Sequence, residues 1–118
     1  MLHCSSDGGF AYSVQEWETM WRLDLPIVSI ILNNDTFAWI KHVEKARLVE
    51  QYISVDFHHV DFATVAKGFG ARGHNAKTAS ELAAALDHEK SPQGPALIDI
   101  ATDQWETSVL RTSSGGKN

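Results

Sequence analysis

Two runs of apolar residues indicate that the chain is built around buried strands. Residues 25–34, Leu-Pro-Ile-Val-Ser-Ile-Ile-Leu-Asn-Asn, are almost continuously apolar and rich in β-branched side chains. Residues 94–102 repeat the pattern more weakly, with Pro95 at the first strand position, where proline is tolerated. Strands that are apolar on both faces are typical of parallel sheets covered by helices. The pattern therefore predicts two central strands of such a sheet.

Helical patterns fill the intervals between the strands. An apolar stripe of period 3.6 predicts a helix over about 14–23, opened by Ser13 as the first residue of a capping box. A second helix should begin after an Asp61 cap and end at the glycines that follow. A third should begin after Thr78, with Glu81 completing its capping box.

The order of these elements indicates the fold class. A strand over Leu-His-Cys-Ser opens the chain, and another short strand is expected near residues 71–74. Strands that alternate with helices predict an α/β fold with right-handed crossovers, here three α/β/α layers around a mostly parallel four-stranded sheet. We expect one domain over 1–112 and a flexible tail over 113–118. Ligands of such sheets bind at the carboxyl ends of the strands.

Composition and charge narrow the function classes. The net charge of the 118 residues is −5, and the ten Lys and Arg residues are scattered, which argues against nucleic acid as a partner. A single cysteine excludes an internal disulfide. The sequence shows neither a charged-then-apolar leader nor a run of eighteen apolar residues. We therefore expect a cytoplasmic protein that does not bind membranes.

Asp7 and Asn34 are the first candidates for chemistry. Each follows a predicted strand, and the two are 27 positions apart, about one βαβ unit. At the same edge of a parallel sheet, a carboxylate and an amide oxygen can converge on Mg²⁺, while Gly8 and Gly9 let backbone amides approach a phosphate. The other interpretation is that Asp-Gly-Gly is a simple turn and Asn-Asn a simple strand end.

These residues also carry a resemblance to a known family. Residues 6–19 followed by residues 25–40 resemble the diphosphate-binding motif of thiamine diphosphate-dependent enzymes, which is Gly-Asp-Gly, a spacer and Asn-Asn. The chain is most similar to the C-terminal cofactor-binding domain of the acetolactate synthase, pyruvate decarboxylase and benzoylformate decarboxylase group. The likeness continues through residues 61–86 and 94–103, and so covers nearly the whole chain.

The resemblance implies a fold and a site. It implies a sheet order of 1-2-4-3, with thiamine diphosphate and Mg²⁺ as cofactors. Asp7 would bind Mg²⁺ through its carboxylate, Asn34 through its side-chain oxygen and Thr36 through its main-chain carbonyl. Gly8 and Gly9 would offer their amides to the diphosphate. No catalytic residue is implied within this chain.

Two positions near the motif have more than one interpretation. Phe37 follows the metal loop and either packs near the thiazolium end of the cofactor or lies in the core. Ser6 stands where the family has its first motif glycine. If that position requires a positive φ or a close backbone contact, Ser6 would strain the turn by about 1 kcal/mol or crowd the cofactor.

The family also has parts that this sequence does not match. By resemblance, a further strand and helices precede the Asp-Gly turn, and a separate pyrimidine-binding domain supplies the glutamate that activates the cofactor. The expected function is thus binding of the Mg²⁺-diphosphate moiety within a 2-oxo acid decarboxylase or carboligase, by a fragment or one piece of a split enzyme that is not catalytic alone.

Two other functions remain open. One is a degenerate assembly module that has lost cofactor binding, and the other is a generic phosphate binder that would not need Asn34. The free edge of the first strand predicts pairing with a second copy, giving a homo-oligomer, or with a complementary chain that carries the pyrimidine domain.

Overall fold

A computed structural model describes residues 1–47 and 51–105. In chain order its elements are β1 (Leu2–Ser6), α1 (Asp7–Ala11), α2 (Glu16–Arg22), β2 (Val28–Asn33), α3 (Ala38–Arg47), α4 (Phe62–Gly68), β3 (Arg72–Ala76), α5 (Ala79–His88) and β4 (Ala96–Ala101). No helix in these two stretches combines the length and apolarity needed to cross a membrane. The predicted tail over 113–118 lies outside the described residues.

The four strands form one sheet in the order β1-β2-β4-β3, which confirms the predicted order. All three pairings are parallel, where a mostly parallel sheet was predicted. The register sets Ser6 of β1 beside Leu32 of β2. The chain therefore leaves both strands at the same edge of the sheet, where the candidate site residues begin.

Helices cover both faces of the sheet and give the predicted three layers. On one face, α1, α2 and α4 enclose a core of eight buried residues: Phe10, Trp17, Ile31, Phe62, Ala63, Ala66, Ala71 and Leu97. On the other face, α5 packs over β3 and β4, and the buried residues are Val28, Ala76, Ala85, Ala96 and Ile98. Aromatic edge-to-face contacts join Phe10 to Trp17 and Phe62 within the first core.

The second face is unevenly covered. The register places Leu2, Cys4 and Leu32 on the same face as Ile98. Cys4 pairs with Ile30, which pairs with Ile98, and residues two apart on a strand point to the same face. Leu2 is 62% exposed, Leu32 is 42% exposed, and Cys4 is also exposed. We call these three residues the open half-face. The prediction that strand 25–34 is buried on both faces is thus wrong at Leu32.

Local capping decides where the helices begin. Thr78 and Glu81 form the predicted capping box of α5, and the Asp61 side chain caps α4 by accepting the Thr64 N–H. The helix predicted over 14–23 is wrong in its boundary. The chain instead forms α1 directly after β1, with Ser6 as its N-cap, then a turn, and then α2. Ser13 lies in that turn, where its hydroxyl donates to the Phe10 carbonyl.

Candidate functional site

The carboxylate of Asp7 joins the ends of β1 and β2. Asp7 is the first residue of α1 and is only 3% exposed. Its Oδ2 accepts the backbone N–H of Asn34 at 3.1 Å, and its Oδ1 accepts the N–H of Gly8 at 2.7 Å. A buried carboxylate is stable only when it is hydrogen-bonded or paired with a cation, and these two amides meet part of that need. The structure thus brings Asp7 and Asn34 together across 27 residues.

The loop after β2 is held by a short antiparallel bridge. The Oδ1 atom of Asn34 accepts the Thr36 N–H at 3.3 Å, and the Thr36 hydroxyl donates to the Val55 carbonyl at 2.9 Å. Between them, Asp35 has a φ of 57°, a left-handed conformation that aspartate tolerates. The Phe57 N–H donates to the Asp35 carbonyl at 2.8 Å. Thr36 is therefore fixed in place and 3% exposed.

Lys41 stabilises this loop through hydrogen bonds to two segments. Its side chain is buried, and its Nζ donates to Asp56 Oδ1 and to Gln104 Oε1, each at 2.7 Å. The same ammonium lies 5.3 Å from the ring centroid of Tyr52 and 5.1 Å from that of Trp105. The hydrogen bond from Lys41 lowers the pKa of Asp56 below its usual value. One lysine on α3 thus ties the bridge segment to the chain that follows β4.

A pocket of about 230 Å³ opens beside Asp7. Phe37 and Phe57 form an apolar part of its lining, and their rings meet edge to face with centroids 4.4 Å apart. Gly8 also lines the pocket, and a Cβ at this position would lie 2.5 Å from Phe37 Cε1. The close approach of the phenylalanine ring therefore requires glycine at position 8. Phe37 is half-buried against the site.

Ser6 does not strain the backbone, so the expected strain is wrong. Its φ of −80° and ψ of 162° are ordinary extended values. Its Oγ accepts the N–H of Gly9 at 3.3 Å and so caps α1. Both amides assigned to the diphosphate thus have partners within the chain, because the Gly9 N–H donates to Ser6 and the Gly8 N–H donates to Asp7.

Asn33 is a polar residue of the site that the sequence analysis missed. It lines the pocket beside Asp7 and is 5% exposed. Its Nδ2 donates to the Val60 carbonyl at 2.9 Å and to Asp99 Oδ2 at 3.3 Å. Burial raises the pKa of Asp99 above its usual value. Among the described residues, Asn33 Oδ1 is buried with no hydrogen-bond partner.

The donor set suits a hard divalent cation. Asp7, Asn34 and Thr36 offer a carboxylate, an amide oxygen and a main-chain carbonyl, which are the oxygen ligands that Mg²⁺ takes in proteins. Each carboxylate oxygen of Asp7 accepts one hydrogen bond within the described chain, and the group has about four lone-pair sites. The buried, unpartnered oxygen of Asn33 also fits a polar ligand in the adjoining pocket. The residues present therefore fit a metal with a polar ligand.

Comparison with known proteins decides the family. The family model described as thiamine pyrophosphate enzyme, C-terminal TPP binding domain, matches residues 1–100. The chain belongs to this family. This TPP-binding domain is 34% identical over 103 residues to acetolactate synthase of Bacillus subtilis, which covers 87% of the chain and 18% of that protein. Family membership confirms the predicted resemblance.

Further relatives agree. Acetolactate synthase isozyme 2 large subunit of Escherichia coli is 29% identical to the TPP-binding domain over 115 residues, which cover 97% of this chain and 21% of that protein. The solved thiamine diphosphate-dependent 4-hydroxybenzoylformate decarboxylase of Rhodococcus jostii matches with a TM-score of 0.81 and 26% identity, over 86% of this chain and 19% of that one. The TPP-binding domain spans about a fifth of the length of these relatives.

Proposed function

We propose that this domain binds the Mg²⁺-diphosphate moiety of thiamine diphosphate within an acetolactate synthase-like 2-oxo acid decarboxylase or carboligase. Asp7, Asn34 and Thr36 hold Mg²⁺ through the carboxylate, the side-chain oxygen and the main-chain carbonyl. The observation that carries the proposal is the hydrogen bond from the Asn34 amide to Asp7, which joins two strand ends at the edge where parallel sheets bind ligands. The similarity to acetolactate synthases supports the class of reaction.

The remaining parts of the site have separate roles. The amides of Gly8 and Gly9 bind the diphosphate by giving up the hydrogen bonds that they donate within the chain. The pocket lined by Phe37 and Phe57 receives the organic part of the cofactor. The bound cofactor supplies the stabilisation of a carbanion, and the protein positions it and excludes water. The glutamate that activates the cofactor comes from a separate pyrimidine-binding domain, with which this domain acts. The domain is therefore not catalytic alone.

The open half-face gives the domain a partner surface. β1 forms one edge of the sheet, and an edge strand presents unpaired backbone groups that can pair with another strand. Exposed Leu2 and Leu32 lie on the face next to that edge. We propose that a second copy of the chain covers this surface, because a two-fold axis at the edge would bury the same apolar residues of both copies.

One observation favours a second candidate function. The hydroxyl of Ser6 occupies the N–H of Gly9, which the first proposal needs for the diphosphate. A domain that no longer binds the cofactor would have no use for that amide. The second candidate is therefore an assembly module that keeps the fold and has lost cofactor binding.

Calorimetric titration of thiamine diphosphate into the protein, with and without Mg²⁺, tests the first proposal. We expect binding only with Mg²⁺, and we expect Asp7→Asn to weaken it roughly 100-fold, which corresponds to about 2.7 kcal/mol. Asp87→Asn makes the same carboxylate-to-amide change at an exposed position of α5 and should leave binding unchanged. Circular dichroism of both variants checks that the fold is retained.

The other outcomes identify the competing functions. Absence of heat at millimolar cofactor in both the wild type and Ser6→Gly would contradict cofactor binding and favour the assembly module. Binding gained only in Ser6→Gly would show that the serine hydroxyl blocks the site. Binding that ignores both Mg²⁺ and Asp7→Asn would indicate a generic phosphate binder.

A further inference from the structure

Three ligand atoms converge at a place that the proposed cofactor site does not use. His74 lies in the middle of β3, His88 is the last residue of α5, and Glu89 is the residue that caps this helix. Glu89 Oε1 lies 2.8 Å from His74 Nε2 and 3.2 Å from His88 Nδ1. All three donor atoms lie within 4.8 Å of one another. Two imidazoles and one carboxylate thus meet at a single point.

The carboxylate at the centre of this cluster is held in place. The Glu89 side chain is only 2% exposed. Arg72 donates from Nη2 to Oε2 at 2.8 Å and from Nε to Oε1 at 3.0 Å, and its Nη2 also reaches the Gly94 carbonyl. These hydrogen bonds, those from Arg72 first, hold the pKa of Glu89 at about 2. Glu89 is therefore an oriented anion at neutral pH.

Both imidazoles remain within reach of solvent. The His88 side chain is 65% exposed and the His74 side chain 24%. Their ring centroids are 5.2 Å apart, and both rings line a shallow pocket with Gly73 and Ala84. An ion can therefore approach the buried carboxylate from the side of the two rings without opening the core.

The cluster is far from the Asp7 site within the topology. Asp7 and Asn34 follow the carboxyl ends of β1 and β2. Arg72 begins β3, which is the other edge strand of the sheet, and lies in register with Ala96 at the start of β4. The cluster thus lies toward the amino ends of the strands and on the opposite edge of the sheet. Its behaviour is independent of the cofactor.

We propose that His74, His88 and Glu89 form a binding site for Zn²⁺. In protein sites Zn²⁺ binds nitrogen and oxygen at about 2.0–2.2 Å, so its tetrahedral ligand atoms are ~3.3 Å apart. The two spacings around Oε1, 2.8 Å and 3.2 Å, are close to this value, and the two imidazole nitrogens lie within 4.8 Å of each other, so side-chain rotation has to bring them to the metal. Water fills the fourth position on the exposed side. Imidazole ligands favour Zn²⁺ over Mg²⁺, which separates this site chemically from the one at Asp7.

Arg72 takes the position of an outer partner in this site. The hydrogen bond from Nη2 to Oε2 can remain when Oε1 binds the metal, as outer-shell partners of ligating carboxylates commonly do. The hydrogen bond from Nε to Oε1 at 3.0 Å has to lengthen, because Oε1 then faces the metal. The positive charge of Arg72 weakens the attraction for a cation, so we expect micromolar rather than nanomolar affinity. Binding needs unprotonated imidazole nitrogens, so acidic conditions should weaken it.

The test is a calorimetric titration of Zn²⁺ into the tag-free full chain at pH 7.5. We expect one equivalent to bind, and we expect His88→Gln and His74→Gln each to weaken binding at least tenfold. His3→Gln on β1 is the matched control, because His3 contacts Ser29 and lies in another strand. Co²⁺ in place of Zn²⁺ should give the visible absorption of a tetrahedral site in the wild type and lose it in His88→Gln.

Further readouts keep the proposal falsifiable. His88 is exposed, so His88→Gln should keep the fold even if His74→Gln does not. A rise in melting temperature with Zn²⁺ should appear in the wild type and in Asp7→Asn, and should be absent in His88→Gln. Failure of Zn²⁺ to bind the wild type, or binding that His88→Gln leaves intact, would overturn the proposal.

Discussion

The two halves of one face of the sheet differ in how well they are covered. Over β3 and β4, α5 packs its buried Ala85 against Ala76, Ala96 and Ile98. Over β1 and β2, the open half-face leaves Leu2 and Leu32 exposed. The first half is covered by α5, which begins at the Thr78–Glu81 capping box directly after β3. The second half has the proposed cofactor site at its edge, so the proposed site lies beside the part of the sheet face that no helix covers in the described residues.

The covered first face links these two halves. Trp17 on α2 is fully buried and packs against Phe10 of α1, with ring centroids 6.1 Å apart. Phe10 in turn packs on Phe62 of α4 at 5.3 Å. This row of rings connects α1, which begins at Asp7, to the well-capped α4. The site half is therefore stabilised through the opposite face of the sheet.

The largest expected effect comes from breaking that row. Trp17→Ala should lower the free energy of unfolding by about 3–5 kcal/mol, because a fully buried large side chain leaves a cavity. Trp39→Ala is the matched control at a position that is 57% exposed, and it should cost less than about 1 kcal/mol. Urea titration of both variants measures the difference. Equal costs would show that the row does not hold the site half.

The fold could be predicted wherever short-range signals act alone. The caps at Asp61 and Thr78 begin α4 and α5 because each side chain bonds an amide three residues on. The start of α1 has a cap of the same kind, since Ser6 accepts the Gly9 N–H three residues on, but Gly8 and Gly9 are poor helix formers and hide this signal in the sequence. Packing of Phe10 in the core holds that helix, and such a contact depends on residues distant in the sequence.

The candidate site divides in the same manner. The meeting of Asp7 and Asn34 follows from the rule that parallel neighbouring strands end at one edge. The buried position of Lys41 does not, because its partners Asp56 and Gln104 lie 15 and 63 residues away. The cluster of His74, His88 and Glu89 likewise needs the packing of α5 on β3, which spacing alone does not reveal.

A smaller effect on stability should come from weakening the start of α5, the helix that covers β3 and β4. Thr78→Ala removes the oxygen that accepts the Glu81 N–H at 3.2 Å and should cost about 1 kcal/mol. Thr78→Ser keeps that oxygen and should cost less. Amide exchange of α5 should accelerate in the alanine variant and leave α1 unchanged. Equal acceleration in α5 and α1 would contradict the prediction, because it would mean that the two halves open together.

The smallest effect on stability should come from the open half-face. Leu32→Ser changes a partly exposed position and should alter the free energy of unfolding by only about 0.5 kcal/mol. If a second copy covers the surface, the same change should turn a dimer into a monomer in light scattering. Leu23→Ser, at a 55% exposed position after α2, is the control and should not change the mass. A monomeric wild type at high concentration would contradict self-association.

The register of β1 against β2 also restricts how long β1 can be. Ser6, the last residue of β1, pairs with Leu32, and the residue after it, Asp7, must reach the Asn34 amide that follows β2. One residue inserted into or deleted from β1 would move Asp7 along the strand by about 3.3 Å and turn alternate side chains to the other face. The length of β1, five residues, therefore fixes the position of Asp7 beside Asn34, and we expect a change in length to be tolerated better in the turn between α5 and β4 than in β1.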